Sequence, residues 1–191
     1  MSDASARPVV TVDLDGVICR PPLGINLGIS RRRLDPHAPP RPARVPPRWL
    51  GAPFDHLRFD LRRPLPEARA ALAALALSHQ VVVLTGRRTS PAGWLRRHGL
   101  AGFVERLVIN DGPDRSPHFK LRCIERLGAA AHVEDDARTA LLLAERGAAR
   151  VFLRDWPRNR NLPAADAATL TRVADLAEVA RLLAPGNAAT P

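Results

Sequence analysis

Apolar residues along this chain fall into short β-branched runs separated by stretches of helical period. Val9, Val10 and Val12 form a strand of the kind buried on both faces of a sheet. A helix starts near Pro66, which suits a first turn, and continues through Ala/Leu repeats to His79. Residues 81–84 (VVVL) read as a second strand, and a helix opens at Ser90 or Pro91 and ends at His98-Gly99. Residues 104–109 are a third strand candidate, followed by a helix over about 117–127 and a fourth strand over 130–133. A helix over 137–146 closes at Gly147, a fifth strand covers 150–153, and a terminal helix covers 170–183. Strands alternating with helices of this length predict an α/β fold, a Rossmann-like parallel sheet with helices on both faces.

The pattern breaks once. Residues 20–53 hold nine of the 19 prolines, as in LDPHAPPRPARVPPRWLGAP, and show neither period. A long irregular segment inside a regular domain reads as a lid or binding loop, or else as a disordered segment. We therefore expect a core of residues 1–17 and 65–191 with a Pro/Arg-rich cap insertion, 18–64, after the first strand. Its arginines (Arg31, Arg32, Arg33, Arg41, Arg44, Arg48, Arg58, Arg62 and Arg63) outnumber Asp35, Asp55 and Asp60. Trp49 and Phe54 lie within it, suited either to anchoring the cap or to stacking on a base.

Composition adds an electrostatic constraint. The 191 residues carry a formal charge of +10, which favours anionic partners: phosphorylated metabolites, nucleotides or nucleic acid. Lys120 is the one lysine among 29 Lys and Arg side chains, so a compact ammonium there asks for a specific reason. The longest apolar run, 70–77, is too short to cross a bilayer, so no membrane partner is expected. The N-terminus lacks a signal-peptide layout, and two cysteines, Cys19 and Cys123, suit a reducing cytoplasm rather than a disulfide framework.

Polar residues cluster just after the strands. Asp13 and Asp15 follow the first, with Gly16 allowing a turn; Thr85-Gly86-Arg87 follows the second; Glu134-Asp135-Asp136 follows the fourth. In a parallel sheet those strand ends share one edge, where ligands bind. Lys120 lies on the helix leading into the fourth strand. Together these groups suit phosphoryl transfer from a phosphomonoester. One carboxylate attacks, a second handles the proton of the leaving oxygen and then of water, and a hydroxyl with backbone N–H groups holds phosphate oxygens. Lys120 offsets charge, and the acids offer oxygen ligands for Mg²⁺. Alternation aims residues i and i+2 to one side, so Asp13 and Asp15 converge unless the turn at Gly16 reorients one. Asp135 or Asp136 could instead cap the next helix. Arg87 and Arg88 suit either substrate phosphate or solvent. None of the six histidines shows metal spacing.

In these motifs, Asp13-Leu-Asp-Gly-Val, Leu84-Thr-Gly-Arg87, Lys120 and Val133-Glu-Asp-Asp136, the sequence resembles the haloacid dehalogenase-like superfamily of phosphohydrolases over about residues 8–155. The resemblance implies that Asp13 is the nucleophile and a magnesium ligand. It implies that Asp15 is the general acid/base, with its carbonyl on the metal, and that Thr85 and Gly86 bind phosphate. Lys120 would stabilise the charge and Asp135 would ligate the metal, with Glu134 and Asp136 as alternative ligands. The loop RDWPRNRN after the fifth strand is similar to a segment of the deoxyribonucleotidase branch. These features imply a cytoplasmic Mg²⁺-dependent phosphatase acting on a nucleotide or small phosphorylated metabolite. The alternatives are a phosphatase of nucleic-acid ends, or a non-catalytic phospho-ligand or nucleic-acid binder on the same fold.

Overall fold

In the computed structural model, which describes residues 7–21, 34–35, 42 and 61–186, six strands form one sheet. They are β1 (Val9–Val12), β2 (Gln80–Thr85), β3 (Arg106–Ile109), β4 (Ala131–Glu134), β5 (Arg150–Arg154) and β6 (Thr171–Val173). The order is β3-β2-β1-β4-β5-β6, and every pairing is parallel. The helices are α1 (Ala68–Ser78), α2 (Ala92–Arg97), α3 (Ser116–Leu127), α4 (Ala137–Glu145), α5 (Ala164–Ala168) and α6 (Leu176–Leu182).

The sheet is buried from both sides because its strands alternate between two apolar clusters. Val10 and Val12 of β1, Val133 of β4 and Phe152 of β5 join one cluster with Leu72 and Leu75 of α1 and Val179 of α6. Val151 and Leu153 of β5 join the other, with Phe119 and Ile124 of α3 and Leu141 and Leu143 of α4. Polar residues on that second face of the central strands, Thr11 and His132, lie level with each other across β1 and β4. This parity delivers Asp13 and Glu134, one step further along, to the end of the sheet beneath α3.

The predicted α/β architecture is the observed one; the short helix α5 joins the expected elements, and two of those elements change. Residues 170–173 do not open the terminal helix; Thr171–Val173 adds β6 to the edge of the sheet. The helix waits until Asp175 can cap it: the Asp175 carboxylate accepts from Glu178 N, and the Glu178 carboxylate accepts from Ala174 N. The third strand is shorter than the expected 104–109, since Val104 closes a 3-10 turn over Ala101–Phe103 and pairing begins at Arg106.

The expected cap falls almost wholly outside the described residues, and with it Trp49, Phe54 and the arginines from Arg31 to Arg58. Where the chain leaves and returns, Arg20 N donates to Arg63 O and Leu65 N to Ile18 O, so the two ends run side by side.

Candidate active site

Asp13 N donates to Val133 O at 2.9 Å, which continues the β1–β4 pairing one residue past the strand and holds Asp13 against β4. The chain then turns at Gly16, whose φ of +79° suits glycine. Space demands glycine there too, because a Cβ on Gly16 would lie 1.8 Å from an Asp135 carboxylate oxygen. The Asp-Leu-Asp-Gly turn and the β4 acids are thus packed backbone against side chain.

Lys120, buried in the second turn of α3, bridges two strand ends. Its Nζ lies 3.0 Å from Asp13 Oδ1 and donates to Glu134 Oε2 at 2.7 Å. Burial works against the ammonium, yet the charges of Asp13 and Glu134 raise its pKa. The Glu134 carboxyl is lowered in return: burial opposes ionisation, and the Lys120 charge and the His132 hydrogen bond outweigh it. Glu134 has four donors for its four lone-pair positions. Oε1 accepts from Asp135 N (3.0 Å) and Asp136 N (3.2 Å); Oε2 accepts from Lys120 and, at 3.2 Å, from His132 Nε2.

Asp13, Glu134 and Asp135 each offer a carboxylate oxygen, all within 4.8 Å of one another. Burial raises the pKa of Asp13 and Asp135, and neighbouring negative charge raises both further. Such a cluster calls for positive charge. Lys120 supplies part of it, and Arg158 Nη2 pairs with the Asp135 carboxylate and donates to Asp135 O at 2.9 Å. The donor set is all oxygen, as a hard divalent cation requires. With Glu134 saturated by protein donors, Asp13 and Asp135 are the side chains suited to hold one.

The other expected site residues separate into distinct roles. Asp15 does not converge with Asp13 on the acidic trio. Its carboxylate takes a two-nitrogen clasp from Arg87 (Nε to Oδ2 2.8 Å, Nη2 to Oδ1 2.6 Å) and a contact from Arg62 Nη1 at 2.5 Å. Burial would raise its pKa, but these guanidiniums lower it overall. Arg87, expected to face substrate or solvent, therefore has Asp15 as its partner, and Arg88 donates to Gly112 O. Thr85 is buried, with its hydroxyl accepting from Arg87 N at 3.2 Å. Gly86 sits against the start of α3, where a Cβ would meet Ser116 Oγ at 2.3 Å. Asp136 lies apart from the acidic trio and caps α4, its carboxylate accepting from Arg138 N and Thr139 Oγ1.

Sequence reasoning left several contributors without a role. The loop after β5 folds onto the site: Trp156 Nε1 donates to Gly16 O, and Asn159 Nδ2 donates to Asp135 O, both at 2.9 Å. With Arg158 it ties together the two carboxylate-bearing turns. Arg62 was legible only as one basic residue among many. His132 shows no metal spacing, but its i, i+2 relation to Glu134 in a buried strand signals a shared face.

No family model matches the chain, and no curated protein does. Solved structures match almost all of it. A haloacid dehalogenase-superfamily hydrolase, subfamily IA variant 1, from Geobacter sulfurreducens aligns over 93% of this chain and 100% of its own, with 21% identity and a TM-score of 0.58. A haloacid dehalogenase-superfamily phosphatase from Thermococcus onnurineus aligns over 92% and 97%, with 16% identity and a TM-score of 0.59. The L-2-haloacid dehalogenase of Xanthobacter autotrophicus aligns over 93% and 98%, with 12% identity and a TM-score of 0.60. The chain carries the haloacid dehalogenase-like fold.

Proposed function

We propose that the protein is a Mg²⁺-dependent phosphomonoester hydrolase working through an aspartyl phosphate, with a nucleotide or small phosphorylated metabolite as substrate. The observation that carries this reading is Lys120 held between Asp13 and Glu134, beside Asp135. A fold shared by phosphatases and a dehalogenase does not choose the chemistry; the residues do. A second carboxylate at Asp15 serves a leaving oxygen that must be protonated, a need the displacement of halide lacks.

Charge supports the same class of substrate. Asp13, Asp15, Glu134 and Asp135 are matched by Arg62, Arg87, Lys120 and Arg158. A divalent cation held by Asp13 and Asp135 would leave an excess of two positive charges, the complement of a phosphomonoester dianion. When bound, Mg²⁺ supplies charge stabilisation for the transferred oxygens. Asp13 attacks phosphorus, and the P–O bond to the leaving group breaks. Lys120 offsets the charge gathering on the phosphoryl oxygens, and Thr85 with the Gly86 backbone holds them. Asp15 gives the leaving oxygen its proton, then takes one from the water that cleaves the aspartyl phosphate. Arg62 and Arg87 keep Asp15 ionised, so proton donation requires that they turn toward the substrate's own anionic oxygens.

The test is phosphate release from a panel of monoesters, nucleoside monophosphates included, with and without Mg²⁺. Asp13→Asn should lower turnover by about a thousandfold or more, and a chelator should abolish it. Release that survives either treatment overturns the mechanism. A wild-type protein that binds phosphate or nucleic acid without turning over any ester is a binder instead.

A further inference from the structure

We infer that His132 is a positioning residue of this site, acting through Glu134 and Lys120 on Asp13. The inference rests on the reading of Asp13 as the attacking group. His132 is fully buried in the middle of β4, level with Thr11 of β1, where neighbouring strand positions carry valine and alanine. An imidazole in that place is costly unless both nitrogens are satisfied. Both are: Nδ1 lies 2.8 Å from Thr11 Oγ1, and Nε2 lies 3.2 Å from Glu134 Oε2.

The partners fix the tautomer. The ionised Glu134 carboxylate only accepts, so Nε2 carries the hydrogen; burial keeps the imidazole neutral, and Nδ1 is left as an acceptor. The Thr11 hydroxyl then donates to Nδ1, in preference to Ala131 O at 3.3 Å. The resulting chain runs from Thr11 to His132 to Glu134 to Lys120 to Asp13, with every link between 2.7 and 3.2 Å. Strand parity builds it. Thr11 and Asp13 share one face of the sheet, as do His132 and Glu134, and α3 brings Lys120 over that face.

His132 thereby does something an apolar residue could not. Two main-chain N–H groups hold Glu134 Oε1, whereas Oε2, the oxygen that receives Lys120, has His132 as its only other donor among the described residues. Without that donor the carboxylate can tilt about its Oε1 anchor. The ammonium would then shift relative to Asp13. The groups that orient metal ligands from behind control activity by about ten- to a hundredfold, and by analogy we expect the lower end here.

The test uses the sole lysine as a probe, since isotope-labelled lysine gives one side-chain ammonium signal in the whole chain. A glutamine at 132 places its amide nitrogen near the position of Nε2, whereas an asparagine reaches only the position of Nδ1. His132→Gln should keep a protected Lys120 ammonium signal close to wild type. His132→Asn and the isosteric Thr11→Val should shift or broaden it. In phosphate release, His132→Asn should lower kcat about tenfold with KM little changed, and His132→Gln should recover most of the loss. If asparagine and glutamine disturb the signal equally, or neither disturbs it, the positioning role is wrong. Should His132→Asn fail to fold, Thr11→Val decides alone: an unmoved signal overturns the inference. Absence of turnover in the wild type would sink the proposed function, while the lysine signal would still decide the role of His132.

Discussion

Asp15 is clasped by two guanidiniums, and that makes it a direct probe. Its carboxyl is held by Arg87 and Arg62, and its pKa is lowered although burial acts to raise it. A group whose folded pKa is depressed contributes stability above its ordinary pKa, near 3.8, and loses it as pH falls through the lowered value. Arg87→Met should therefore cost about 2 kcal/mol at neutral pH, the loss of a charge-assisted pair. The difference from wild type should shrink as the solution is acidified below pH 4, where Asp15 takes up its proton. Denaturant melts across pH 3 to 8 measure this, and a constant difference would mean that Arg87 stabilises by packing alone. That Asp13 and Asp15 would both stand at the end of the first strand was legible in the strand-end motif. That they face different partners was not, because the turn at Gly16 breaks the alternation that would have aligned them.

Among the elements, β4 and the start of α4 show how one short motif divides its labour. Glu134 ends the strand and locks Lys120, Asp135 joins the acidic trio, and Asp136 caps the helix. Asp136→Ala should cost about 1 kcal/mol of stability, the usual worth of such a cap, and leave phosphate release within a few-fold of wild type. Asp135→Asn should do the opposite. It should abolish the rise in melting temperature that Mg²⁺ produces, which Asp136→Ala retains. If Asp136→Ala also loses the Mg²⁺ response, then Asp136 is a ligand and the cap reading fails. The sequence placed three consecutive acids at this strand end but held no information on which way each would point. Three strands, by contrast, were legible almost to the residue, because β1, β2 and β5 are largely apolar runs bounded by polar positions. Edge strand β6 was missed since three residues with one buried valine show no period, and only the capping pair Asp175 and Glu178 marks where the helix starts.

For the molecule as a whole, the charge of +10 is the feature the candidate site does not use up. Four of the cations answer the four site carboxylates, and Arg154 pairs with Glu67 at 2.8 Å. Others face outward on separate elements: Arg96 and Arg97 on α2, Arg122 and Arg126 on α3, Arg150 at the start of β5. A polynucleotide ligand would engage several such groups at once. Each phosphate contact would release condensed counterions, so six or more contacts would cost about a thousandfold in affinity between 50 and 200 mM salt. A mononucleotide offers one dianion and no condensed ion atmosphere, and its KM should change by less than about tenfold over the same range. We expect the weaker dependence, because the charge excess argued for the site matches a single phosphomonoester. Steady-state kinetics on a nucleoside monophosphate and on a phosphate-ended oligonucleotide, each across that salt range, decide the point. If the oligonucleotide is turned over better at low salt and its advantage vanishes steeply as salt rises, the surface arginines belong to the substrate site and the enzyme acts on nucleic-acid ends.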